Sequence, residues 1–212
     1  MEFVVFFTSI SLFFHFLIIL FAFWRFSFLL TRLIFCDIIF TTIFKRGKKV
    51  TVRIAKREDL ARVHFIYMRA REFMKETGNP TQWGDAYPSE ELIEEDLANK
   101  RLCVIEDSDT SEIHGVFAFF ASGDAIYNNI EGTWLNDLPH SAIHRVASSG
   151  ERRGILAACV EFCLSQSKNL KIDTHPDNKI MQYQLQKAGF SLCGTITMPD
   201  GSPRLAYQLF IS

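Results

Sequence analysis

Apolar and polar positions along this chain alternate with two periods, and the switches between them mark out its elements. In KVTVRIA, Val50, Val52 and Ile54 alternate with polar neighbours, which predicts a first strand. Leu60, Val63, Ile66, Tyr67 and Ala70 then recur at helical spacing, with Glu58 or Asp59 near the helix start. That helix should end near Thr77-Gly78, and Asn79-Pro80 breaks it. After Pro88, Ser89 with Leu92, Ile93 and Leu97 marks a second helix, whose positive N-terminal end suits Glu90 and Glu91. LCVIED, GVFAFFA and AIHRVAS read as successive strands, with connections at 108–111 and 128–139. A helix over ILAACVEFCLSQS, a strand over NLKIDTH, and a helix closing on KAGF follow. SLCGTIT and RLAYQLF flank PDGSP, a turn signal that predicts a closing hairpin. The predicted order is β-α-α-β-β-β-α-β-α-β-β, and no internal repeat is visible.

The first 49 residues follow neither period. Phe3 to Trp24 carries no formal charge and, as a helix, spans ~33 Å, enough for a hydrocarbon core. Beyond it Arg32 and Asp37 would each cost ~2.5–3.5 kcal/mol at a membrane centre, which disfavours a second span. KRGKK then supplies a basic stop, and the positive-inside rule places the rest of the chain in the cytoplasm. Neither a basic n-region nor a small-residue cleavage site marks a secretory signal. A second reading carries equal weight. Of the 21 phenylalanines, 13 lie in the first 44 residues, as AT-rich DNA read upstream of a true start near Val50 would give. The two readings of 1–49 are therefore a membrane anchor through 3–24 or a mis-assigned start. In the second case the domain, 50–212, is a soluble cytoplasmic one.

Charge narrows the partners. The chain has 23 basic and 24 acidic residues, which argues against nucleic acid. Residues 50–212 hold 17 of the former and 22 of the latter, a mild field for cationic amines. Cys36, Cys103, Cys159, Cys163 and Cys193 form no CxxC pair. Cys159 and Cys163 stand four apart on a predicted helix, but no second Cys/His pair accompanies them. Free buried thiols in a reducing compartment are expected, and no metal site.

The chemistry concentrates between Ala142 and Phe190. Gly154 sits where a strand turns into a helix, so unpaired N–H groups there can face an anion, with Arg152 and Arg153 beside them. Val146, Glu151, Gly154 and Leu156, then Asn178, Lys187, Gly189 and Phe190, keep the spacing of a two-part signature. These residues resemble the GNAT superfamily of acetyl-CoA-dependent N-acetyltransferases, of the small bacterial type, over about Val50 to Phe210. Glu151 and Leu156 depart from that family's loop pattern, where a Gln or Arg and a small residue stand. The resemblance implies an α/β (α+β) GNAT acyltransferase fold, a mixed twisted central sheet flanked by helices, behind the apolar N-terminal segment.

It also implies acetyl-CoA as co-substrate. Its contacts, carried over by position, would be Val146, Ala147, Arg152, Arg153, Gly154, Ile155, Leu156 and Asn178. Leu156 would crowd the phosphates and Glu151 would place a negative charge near them. Many family members use a tyrosine seven residues after the Asn as general acid; here that position is Leu185, and Tyr183 lies about 200° around the helix. For the base, His144 is two residues before Val146 on the same strand face, with Asp173 on the adjacent strand end and Glu131 ahead of the central strand. Trp83, Tyr87 and Trp134 are candidates for an aromatic substrate wall, or else cap the core. The expected activity is acetyl transfer to a primary amine of a small molecule, amino acid or peptide by direct attack on the thioester. A CoA-binding sensor domain with little turnover is the alternative, and a tethered enzyme acting on membrane amines a third. A homodimer is compatible with either. No GxGxxG follows the first strand, which argues against a nucleotide-binding Rossmann enzyme.

Overall fold

Strand Val50–Ile54 (β1) leads through a 3-10 turn, Arg57–Asp59, into helix Leu60–Glu76 (α1). A computed structural model describes residues 50–212. The 3–24 stretch and the rest of 1–49, with both readings made of them, lie outside the described residues. Among the described residues no helix is long and apolar enough to cross a membrane. Helix Glu90–Ala98 (α2) starts where expected, with the Ser89 hydroxyl accepting from the Leu92 amide at 3.3 Å. Strands Leu102–Asp107 (β2), Ile113–Phe120 (β3) and Ser141–Ser148 (β5) follow, then helix Ile155–Gln166 (α3) and strand Asn169–Thr174 (β6). Helix Lys179–Lys187 (α4) and strands Ser191–Thr197 (β7) and Pro203–Phe210 (β8) complete the order read from the sequence.

One strand was not foreseen. Within the expected 128–139 connection, Glu131–Gly132 (β4) pairs with Thr195 and Gly194 of β7. A Cβ on Gly132 would stand 2.2 Å from the Cys193 carbonyl oxygen, so only glycine permits this approach. Two residues are too few for a period to reveal.

The sheet runs β1-β2-β3-β5-β6-β8-β7-β4 and is antiparallel except between β5 and β6. Both faces of its centre are covered. Cys103, Ile105, Phe117 and Ile143 pack with Cys159, Cys163 and Leu185 from α3 and α4. Leu102, Val104, Val116 and Ala147 pack with Val63, Ile66, Tyr67 and Ile93 from α1 and α2. Coverage on both sides explains why β2 reads as an apolar run rather than an alternation. The thiols of Cys103, Cys159 and Cys163 are free and buried, as expected, whereas Cys193 is half-exposed.

The β5 strand breaks its own period. Ala118 pairs with His144 and Val116 with Ala147, so two steps on β3 oppose three on β5. Arg145 absorbs the extra residue at φ 54°, a left-handed conformation rare outside glycine. Ile143 and Val146 consequently face α3, while His144 and Ala147 share the α1/α2 face. This corrects the expectation that His144 and Val146 share one face. Arg145 also reaches the α2 side, where Nε and Nη2 donate to Asp96 Oδ2 at 2.9 and 2.6 Å.

That ion pair is almost closed to solvent, with side chains 8% and 2% exposed. Removing one partner strands a buried charge, which typically costs about 3–5 kcal/mol. Asp96→Ala should therefore lower the denaturant midpoint sharply, and Asp96→Ala with Arg145→Met should lower it less. Equal losses would show that the pair does not hold the bulge.

Candidate active site

The parallel contact between β5 and β6 lasts only from Ser141–Leu170 to Ile143–Ile172. Beyond it β6 continues beside β8, and β5 beside β3, so the two strands part. A cavity of about 360 Å³ opens at the parting. Ile172, Thr174, Asn178 and Met181 contribute from the α4 side, and Trp83, His144, Asp173 and Arg204 from the other.

At the far end of β5 the chain turns into α3 through two glycines in the left-handed region, Gly150 at φ 82° and Gly154 at φ 85°. The Ser148 and Ser149 hydroxyls accept from the Gly150 and Glu151 amides at 3.1 and 3.3 Å, which shapes the turn. Gly154 is the N-cap of α3 and, having no side chain, leaves the helix's first N–H groups for an outside acceptor. A Cβ at Gly150 or Gly154 would meet nothing within 4 Å, so the space before the helix end is open.

The loop side chains stand differently from the sequence expectation. Glu151 meets Arg62 of α1, Oε2 to Nη2 at 2.6 Å, so its charge is compensated rather than opposed to an anion. The Ser149 hydroxyl, and then Arg62, hold its carboxyl below the usual range. Leu156 packs part-buried against the α3/α4 core, and Ile155 is buried in it. Arg152 is paired with buried Asp107. Arg153 is exposed and is the loop cation with no ion pair among the described residues.

Of the three candidate bases, two come together. The His144 ring stacks on Tyr127 with centroids 5.7 Å apart and planes 10° from parallel. Its Nε2 lies 3.1 Å from Asp124 Oδ2, out of line for a hydrogen bond, and its Nδ1 lies 4.0 Å from Asp173 Oδ1. Asp173 Oδ1 accepts from the Tyr127 hydroxyl at 2.8 Å. Burial, then Asp173, push the Tyr127 phenol well above its usual value, so it stays protonated and donates. Glu131 does not join them: it is exposed on β4, and it does not line the cavity.

Trp83 and Tyr87 line the cavity, Trp83 buried edge-on against Tyr67 at 5.7 Å. Trp134 does not line it. Its Nε1 donates to the Tyr127 carbonyl at 3.1 Å, and Lys171 Nζ lies 3.8 Å from its ring. Trp134 thus buttresses Tyr127 and forms no substrate wall. Asn178 caps α4, its Oδ1 accepting from the Met181 amide at 3.0 Å, while Nδ2 donates to Gln82 Oε1 at 3.0 Å. Leu185 is fully buried and Tyr183 is 62% exposed, so α4 offers the cavity no phenol.

No protein-family model and no curated protein matches the chain. Solved structures do. A GNAT-family acetyltransferase from Streptococcus agalactiae 2603 is 25% identical and superposes with TM-score 0.70, over 79% of this chain and 98% of its own. The fold is that of GNAT-family acetyltransferases. A GNAT acetyltransferase from Listeria monocytogenes 4b F2365, 18% identical, matches at TM-score 0.56 over 76% of this chain and 95% of its own. An aminoglycoside acetyltransferase solved in complex with coenzyme A and kanamycin, 19% identical, shares the fold at TM-score 0.52 over 76% and 95%.

Within this GNAT domain, sequence reading missed Asp124, Tyr127, Gln82 and Arg204. Asp124 carried a faint signal, an Asp two residues before an amide it bonds, with Oδ1 accepting from Ile126 N at 3.0 Å. The others come together through contacts distant in sequence.

The His144 imidazole and the Ile126 amide, opposed by burial, bring the Asp124 carboxyl from 3.8 down to about 2. A lowered carboxyl stabilises the fold above 3.8 and loses that contribution as pH falls towards about 2. Thermal melts across that window should fall less steeply in Asp124→Asn, by on the order of 1–2 kcal/mol after solvent screening. Identical slopes would remove Asp124 from the acid response.

Proposed function

We propose that this domain transfers the acetyl group of acetyl-CoA to a primary amine. The observation that carries the reading is the parting of β5 from β6, which opens a cavity lined by His144, by Asp173 and by Val146 of the strand that leads to the α3 N-terminus. The loop residues fit a coenzyme A pyrophosphate. Gly150 and Gly154 leave the approach open, Leu156 packs on the core, and Arg62 neutralises Glu151. The first-turn amides of α3 would hold the phosphates, with Arg153 adding charge. From His144 to Ser148 no strand covers the β6 side of β5, so backbone groups around Val146 and Ala147 are available to an extended arm. When bound, acetyl-CoA supplies an activated thioester carbonyl.

The chain's part is to position an amine and take its proton. Asp173 Oδ1 is committed to Tyr127, and Oδ2 accepts no hydrogen bond among the described residues. That second oxygen would hold the incoming ammonium, and His144 would take one proton from it. The free amine then attacks the thioester carbonyl, and the C–S bond breaks as the nitrogen loses its second proton. Asp124 and Tyr127 are positioning residues, one beside Nε2 and the other stacked on the ring. Leu185 supplies no proton to the departing sulfur, so water entering the cavity would do so. The same buried leucine favours the second reading, a CoA-binding sensor with little turnover.

Acetyl-CoA at ~100 times its dissociation constant adds ~2.7 kcal/mol, and the melting midpoint should rise by several degrees. Gly154→Val forces a branched residue into the left-handed region and should cut that rise. Asp173→Asn should keep the rise but lower kcat for thiol release about 100-fold or more. A rise with no thiol release across a panel of primary amines would leave the sensor reading. No rise at millimolar acetyl-CoA would end both.

A further inference from the structure

Two arginines line the cavity, and among the described residues only Arg145 forms an ion pair. Arg145 is answered by Asp96. Arg204 on β8 is 8% exposed, yet among the described residues no carboxylate lies within 4.0 Å of it. Its guanidinium donates to three neutral oxygens. Nη1 reaches Ser202 Oγ at 2.9 Å and the Pro203 carbonyl at 3.0 Å, and Nη2 the Gln82 carbonyl at 3.5 Å. Nε is unused. The nearest acid on the hairpin, Asp200, spends Oδ1 on the Ser202 amide and hydroxyl at 2.9 and 2.6 Å. Asp200 acts on Arg204 through space but does not pair with it, and a guanidinium this buried gains from an anion that bonds it directly.

Gln82 adds directed donors. Its Oε1 accepts from Asn79 Nδ2 at 2.6 Å and Asn178 Nδ2 at 3.0 Å, which turns the amide nitrogen away from both. Asp173 pairs with Ala206, two residues from Arg204, so Asp173 and Arg204 share a sheet face as diagonal neighbours. Such positions lie about 7–8 Å apart along the backbone. The cavity therefore presents Asp173, which can hold an ammonium, beside Arg204, which can hold a carboxylate, with Asp200 turned to Ser202 and Met74 and Trp83 as apolar lining.

We infer that the acceptor is a free α-amino acid whose carboxylate binds Arg204 and the Gln82 amide while its amine lies at Asp173. This rests on the acetyl-transfer reading and narrows it. Peptide N-termini and simple amines lack the α-carboxylate and are poor acceptors.

The probes are L-phenylalanine and L-methionine against their amides, in acetyl-transfer kinetics and in calorimetric titration with CoA present. The wild-type protein should prefer the acids, with KM about 10- to 100-fold below that of the amides. Arg204→Gln should raise KM for the acids by that factor, close the gap between acids and amides, and be partly rescued by Arg204→Lys. An unchanged melting rise with acetyl-CoA reports that the variant folds. Equal use of acids and amides by the wild-type protein overturns the inference and leaves acetyl transfer standing. No transfer to any amine, with acid binding that Arg204→Gln abolishes, keeps the carboxylate site and ends the transfer reading. Absence of both transfer and acid binding ends both.

Discussion

A parallel pair of strands that stays together for only three residues governs this molecule. Past Ile143 and Ile172 the backbone of β5 has β3 on one side and, among the described residues, no strand on the other. An unpaired strand edge in a protein interior needs partners. Here the cavity supplies the space for them, and the bulge at Arg145 keeps β5 attached to β3 while it diverges. Arg145 can hold its unusual conformation because Asp96 on α2 grips its guanidinium from the adjacent layer. Cavity, bulge and ion pair are therefore one device.

Charge is managed in the same economical way. The loop before α3 carries an acid where an anion should approach, and α1 answers it with Arg62 from 89 residues away. Arg62 also lies 3.6 Å from Glu112, and His114 Nδ1 lies 3.4 Å from Glu151, so one guanidinium fastens the loop to α1 and to β3. Where compensation is withheld, at Arg204 and at the α3 N-terminus, the surroundings face the cavity or open space.

Much of this was legible in advance. Strands β2, β5 and β6 and the helices after Asp59, Ser89, Gly154 and Asn178 were readable because local signals set them: apolar runs, caps and glycine turns. The loop and its partner half were readable for the same reason. What escaped reading is non-local. The Arg145 bulge leaves no trace because arginine has no preference for positive φ, and one extra residue moves His144 and Val146 to opposite faces. Glu131 looked close to the central strand in sequence, but β4 pairs at the far edge of the sheet. Trp134 looked like a pocket residue, and its indole nitrogen instead secures the turn that holds Tyr127. Arg204 and Gln82, 122 residues apart, have no shared sequence signature at all.

Leu185 bears on how this scaffold can change. Its side chain belongs to the core beneath α3, so the inward face of α4 is continuous hydrocarbon. A phenol introduced there would have to enlarge a packed interior and bury a hydroxyl with no partner waiting, each a cost of kcal/mol order. A proton donor on that helix is thus not one substitution away. Any lineage or designer seeking one must first rebuild the wall behind it, and until then the scaffold's chemistry is free to diversify only from the β5–β6–β8 side.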